Sequence, residues 1–276
     1  MNNDIKNRFI EYGKYNDKVV SIFYLKSNTD EDFVDLCTVV DEVIVGKLEE
    51  ELKSLFTDVF LINRVKSSFA LDKDRQNYTI LEAFTERGVK ISESIIAYDF
   101  LEDFIRQIPK DIEFIYNRSD LGQINPNKNF KYDLPKEYEF KATVDSFFAR
   151  AYEVSLYLGQ NDVIASSLVM DKLRSELSKM LNFYVINKFF GLRDMGLDGK
   201  NFDQTLSKEI KEDFELTFAT NDPLDIYNCL FKACGLFRKV GMAEAEKLGY
   251  EYNKEADVKT LKLLRKNYKK LEALLR

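Results

Sequence analysis

The sequence predicts an α+β protein: an N-terminal mixed sheet domain followed by a C-terminal helical bundle. Three observations carry this. Apolar residues alternate at strand and helix periods up to about residue 107; a proline- and asparagine-rich stretch follows; and beyond about residue 141 every apolar pattern has the helical period. Residues 3–14 read as a helix. "KVVSIFYL" (18–25) and "LCTVVDEVIV" (36–45) are rich in β-branched and aromatic residues and read as strands. "KLEEELKSLF" (47–56) places Leu48, Leu52, Leu55 and Phe56 on one helical face. Three further strands are expected at 58–68, 77–86 and 89–98, with "ERG" (86–88) as the turn between the last two, and a helix resumes at 99–107. The segment 119–140 holds two of the four prolines and three asparagines, and reads as a connection. Helices are expected at 141–160, 161–191, 221–250 and about 255–275, the third opening on a cap followed by Pro223. The domain boundaries drawn from this are 1–122, a connection 123–140, and 141–276.

Composition narrows the chemistry. The chain has 276 residues, 45% of them hydrophobic and 13% aromatic, enough for a substantial core. Lys and Arg number 41 against 47 Asp and Glu, a net charge of −6. That balance argues against non-specific nucleic-acid binding and suits a cationic ligand. There is no histidine, so Ser-His-Asp and Cys-His catalysis and every histidine metal site are excluded. Cys37, Cys229 and Cys234 have no zinc spacing and read as buried free thiols of a reducing, cytoplasmic location. The first residues lack a signal-peptide stretch, and no run approaches the roughly 18 apolar residues that span a membrane. No membrane partner is therefore expected, and oligomeric state carries no sequence signal.

Specific strings then bear a resemblance. Arg174, Glu176 and Leu177 stand in "LRSELSKML"; Gly199, Lys200 and Phe202 in "GKNF"; Leu236, Phe237 and Arg238, then Ala245, Leu248, Tyr250 and Tyr252, in "IYNCLFKACGLFRKVGMAEAEKLGYEY". Together they resemble the streptomycin (aminoglycoside 6-) adenylyltransferase family, strongly over about 141–270 and more loosely before it. The resemblance implies a nucleotidyltransferase fold, and an antibiotic-resistance activity that transfers AMP from ATP to an aminoglycoside hydroxyl with Mg²⁺. It also implies a motif: a Gly-Ser turn after the first strand, whose amides approach the triphosphate, and an Asp-x-Asp pair opening the next strand, whose carboxylates share a face and hold Mg²⁺. A third carboxylate on a later strand takes the proton of the attacking hydroxyl or completes the metal shell.

Aligned to that motif, Lys26 takes the glycine position and Ser27 the serine, Phe33 the first Asp and Asp35 the second, and Ser92 the third carboxylate. Asp35 alone is left as catalytic and metal-binding candidate, with Ser27 and Lys200 for nucleotide. Asp203, where the family often has a second basic residue, weakens the case for Lys200. Glu176 and Arg174 are the substrate-side candidates, for a cationic aminoglycoside-like molecule. The expectation is a degraded transferase, a pseudoenzyme with little or no AMP transfer. One alternative is an active transferase, using Mg²⁺ with ATP, whose rearranged site pairs Asp35 with Asp32 or Glu93. Asp32 would need a bulge to reach Asp35's face, and Glu93 would face away. The other alternative is a non-catalytic structural or regulatory interaction protein.

Overall fold

The computed structural model describes residues 3–25, 32–41, 45–71, 75–108, 112–118, 130–196 and 199–275. The chain divides into two compact units, residues 1–130 and 131–276.

The first unit is a six-stranded sheet with helices on both faces. Its elements are α1 (Asn3–Tyr15), β1 (Val19–Leu25), β2 (Phe33–Val40), α2 (Val45–Leu55), β3 (Val59–Ala70), β4 (Arg75–Thr85), β5 (Lys90–Ala97), α3 (Leu101–Arg106) and β6 (Ile112–Asn117). Strand order is β3-β4-β5-β2-β1-β6. β2 and β5 run parallel; the other neighbours are antiparallel. Alternation along the strands sends one set of side chains under α1 and α2, where Val34, Leu36, Leu81, Ile91 and Ile95 pack with Ile5, Phe9, Leu48, Leu52 and Phe56. The other face meets α3, where Cys37, Val39, Phe69 and Ile96 pack with Leu101, Phe104 and Ile105. Gly13 lets α1 lie close on the sheet: a Cβ there would fall 2.4 Å from the Tyr116 ring.

The second unit contains α4 (Glu137–Gly159), α5 (Val163–Lys188), α6 (Phe202–Thr205), α7 (Lys208–Glu215), α8 (Pro223–Leu248) and α9 (Lys254–Leu275). Phe147 of α4 stacks on Phe237 of α8 at 3.8 Å between ring centroids. The buried Ser155 hydroxyl ties three helices together, lying 2.9 Å from the Tyr227 hydroxyl and accepting from Asn267 at 2.9 Å. Asp162 caps α5 and Asp222 caps α8, whose far end closes on Gly249 at φ +70°. All three cysteines are buried and free. Among the described residues, no helix is long and apolar enough to cross a membrane.

The structure departs from the sequence expectations in several places: the strand expected to reach residue 45 ends at Val40, Val45 already belongs to α2, and α6 and α7 were not expected. β2 begins at Phe33 rather than 36, because pairing to β5 draws Phe33 and Val34 into the ladder. β6 was not expected at all; it is a short edge strand held by β1 alone. α4 begins at Glu137, inside the segment read as a connection: Pro135 lies just ahead of it, and the Glu139 carboxylate accepts from the Lys136 N–H at 2.8 Å.

Candidate active site

The site is built on the two parallel strands. In the β2–β5 register Phe33 lies opposite Lys90 and Asp35 opposite Ser92, without interruption along the ladder. Alternation puts Phe33, Asp35 and Ser92 on one face, the face that also carries Cys37 and Ile96. All three are half-buried, while Val34, Leu36, Ile91 and Glu93 between them are buried on the other side. The three positions that the sequence reading aligned with the motif's carboxylates are thus neighbours, and one of them is a carboxylate. Lys26 and Ser27, the aligned glycine and serine positions, lie outside the described residues.

The two carboxylates considered as replacements for the lost ones do not share this geometry. Asp32 precedes β2, where its carbonyl accepts from the Lys90 N–H at 2.8 Å; no bulge separates it from Asp35, so the two stay out of phase. Glu93 points to the α1/α2 side. It is 2% exposed and accepts the Thr38 hydroxyl proton at 2.5 Å. Burial pushes its carboxyl up to about 7, with the Glu51 charge adding to the rise and the Thr38 bond opposing it.

One carboxylate on the correct face was missed by sequence reasoning. Glu82 of β4 lies opposite Ser92, two strands from Asp35. It is committed elsewhere: Lys90 Nζ lies 2.5 Å away and Asn63 Nδ2 donates to it at 2.9 Å. The bond from Lys90 holds it below the usual carboxylate range. Only the β4–β5 register, set by the turn at 86–88, would have revealed its position.

A divalent cation of the Mg²⁺ type needs several oxygen ligands, chiefly carboxylates. Phe33 offers none and the Ser92 hydroxyl is neutral. Among the described residues no group of three or more His, Cys, Asp or Glu side chains comes together that could hold a metal ion. The residues at the motif positions therefore do not fit the Mg²⁺ that the motif serves in the family.

In the second unit the expected residues are separated. Lys200 is exposed, in the turn after Gly199, and Asp203 is paired with Lys211 at 2.5 Å. Arg174 donates to the Thr217 carbonyl at 2.9 Å, lies 4.7 Å over the Phe218 ring and pairs with Asp171. Its guanidinium thereby fastens the segment before α8 onto α5. Glu176 is half-buried on the same helix, near enough to Arg150 to favour that residue's charge. The acidic cavity of this unit lies away from both. It measures about 810 Å³ and is lined by Asp145, Glu246, Glu251 and Glu255, with Lys141, Tyr250 and Tyr252 among the remaining walls. The family strings had pointed to Tyr250 and Tyr252; three of the acids, Glu246, Glu251 and Glu255, stand beside them in sequence, and Asp145 of α4 joins them only through the fold.

The sheet, its parallel β2–β5 pair and the helical second unit define a protein of the nucleotidyltransferase class. The chain belongs to the streptomycin adenylyltransferase family, whose model matches residues 56–267; β1 and β2, which precede residue 56, fall outside that match. Its fold is similar to that of an aminoglycoside 6-adenyltransferase from Bacillus subtilis, at 17% identity and a TM-score of 0.50 over 97% of this chain and 99% of that one. A nucleotidyltransferase-like protein from Exiguobacterium sibiricum aligns at 10% identity and a TM-score of 0.37, over 90% and 78% of the two chains. No curated protein matches the sequence.

Proposed function

We propose that this chain is an aminoglycoside adenylyltransferase-like protein with a degraded catalytic row, transferring little or no AMP. The observation that carries the reading is the register of Phe33, Asp35 and Ser92: three adjacent positions on one face with a single carboxylate among them. Metal charge and a positioned base each contribute several kcal/mol to transition-state stabilisation in such chemistry. Asp32, Glu82 and Glu93 are respectively out of phase, bound to Lys90 and on the opposite face.

The retained capacity is binding of a polycation. The cavity around Tyr250 and Tyr252 presents four carboxylates against Lys141 and Lys254, and aromatic walls beside them favour ammonium and guanidinium groups. Binding there needs neither ATP nor the Asp35 row.

The test is transfer of labelled AMP from ATP to streptomycin with Mg²⁺ present. The expected result is no transfer above a no-enzyme control. Transfer that vanishes in Asp35→Asn refutes the reading. Streptomycin binding is measured separately by calorimetry without ATP: binding that weakens with salt and in Glu246→Gln/Glu251→Gln supports the cavity, and binding unchanged in that variant refutes it.

A further inference from the structure

The chain is acidic overall, but α9 is not. Between Lys254 and Leu275 it carries seven Lys or Arg against three Asp or Glu. Val258, Lys262, Arg265, Lys266 and Lys269 follow one another at helical spacing along one exposed face. With Leu261 and with Arg238 of α8 they line an open groove of about 690 Å³. Arg238 is neutralised by Asp257, with two bonds of 2.6 Å. Among the described residues, Lys262, Arg265, Lys266 and Lys269 have no carboxylate partner. Elsewhere Arg64, Arg87, Arg118 and Arg150 are each paired with an acid, and exposed lysines without such a partner among the described residues, such as Lys14, Lys172 and Lys232, lie on three different helices rather than in one row.

We infer that this face of α9 binds the phosphodiester backbone of a nucleic-acid duplex. The four cations span residues 262–269, about 10 Å of helix. A strand of duplex presents a phosphate about every 3.4 Å of its axis, so about three phosphates fall within that length. The groove is shallow and open, and a small anion seated in it would reach only one or two of the cations; an extended polyanion reaches all four. No aromatic side chain lines the groove, so bases have nothing to stack on, and recognition rests on backbone charge without sequence preference. A basic amphipathic helix also suits an anionic bilayer. Here the apolar side of α9 is already spent: Leu264 is fully buried, Leu261 is 9% exposed, and Leu271 packs against the same core. The apolar residues that α9 leaves well exposed, Val258 and Leu274, stand near its two ends and form no continuous stripe that could enter a bilayer.

The experiment is fluorescence anisotropy of labelled 24-base-pair DNA and RNA duplexes with the full chain. The expected dissociation constant is in the micromolar range at 50 mM salt. With about three phosphates neutralised, affinity falls about 40-fold between 50 and 200 mM salt. The variant Lys262→Glu/Arg265→Glu/Lys266→Glu/Lys269→Glu is expected to lose at least 100-fold. All four side chains are exposed, and circular dichroism of the variant checks that it folds. A control with the same change in net charge, Lys14→Glu/Lys172→Glu/Lys208→Glu/Lys232→Glu, is expected to lose less than 10-fold. Binding of either duplex with this pattern supports the inference. It is overturned by a dissociation constant above about 100 µM at 50 mM salt, by equal losses in the two variants, or by binding to phosphatidylserine vesicles without binding to duplexes.

Discussion

Glu93 should make the stability of the first unit depend on pH in a direction opposite to that of most carboxylates. The side chain is buried among the α1/α2 core residues, where it accepts the Thr38 hydroxyl proton. Its charged form is disfavoured there, and its carboxyl is pushed from 4.5 up to about 7. The folded state therefore binds more protons than the unfolded state between pH 4.5 and 7. Stability from this group is fully present below 4.5 and is lost as pH rises to 7. At about 1.4 kcal/mol per unit, a shift of this size corresponds to about 3 kcal/mol across the window. Glu93→Gln removes the titration and keeps the shape. Urea unfolding of both proteins from pH 4.5 to 8, followed by circular dichroism, isolates the effect. The carboxylates held low by ion pairs, such as Glu49 and Asp58, are common to both proteins and cancel in the difference. The variant is expected to gain about 3 kcal/mol on the parent as pH rises, with the gain complete slightly above 7. Parallel profiles would refute the assignment of a neutral, buried Glu93.

Other perturbations test the packing. Gly13→Ala forces a Cβ into the Tyr116 ring and should cost about 1–3 kcal/mol in urea unfolding, since α1 cannot withdraw without uncovering Ile5 and Phe9. Phe237→Ala removes the ring stacked on Phe147 and should cost about 3–5 kcal/mol, read as a loss in the midpoint of the second unit's transition. Phe33→Asp/Ser92→Asp places carboxylates on both sides of Asp35 in the same row. It should bring Mn²⁺ binding into the millimolar range or better by electron paramagnetic resonance, while AMP transfer stays absent because position 26 is still lysine.

The general architecture was legible because long elements announce themselves: α4, α5, α8 and α9 each bury a continuous helical stripe. The separation of Glu93 from Asp35 was also legible, since it needs only strand alternation. What was not legible depends on partners distant in sequence. β6 is six residues long and is defined by its pairing with β1, ninety residues earlier. Glu82 enters the site's face through β4–β5 register, and its capture by Lys90 and Asn63 through the geometry of three strands. Two Phe-Phe pairs stand in the helical half, at 147–148 and 189–190; the first is buried, yet Phe190 ends 80% exposed at φ +55°, where α5 breaks, and the sequence does not separate the two cases. The basic content of α9 was visible in sequence; that four of its cations lack acid partners was not, because net charge averages over surfaces that the fold keeps apart.

The central claim is that one carboxylate remains where three are needed, and Mg²⁺-dependent ATP binding measures it most directly. Calorimetry with ATP, with and without Mg²⁺, on the wild-type chain and on Asp35→Asn should show no Mg²⁺-dependent binding tighter than millimolar and no difference between the two proteins. Micromolar ATP binding that requires Mg²⁺ and is lost in Asp35→Asn would contradict the account, and would mean that ligands beyond Phe33, Asp35 and Ser92 complete the site.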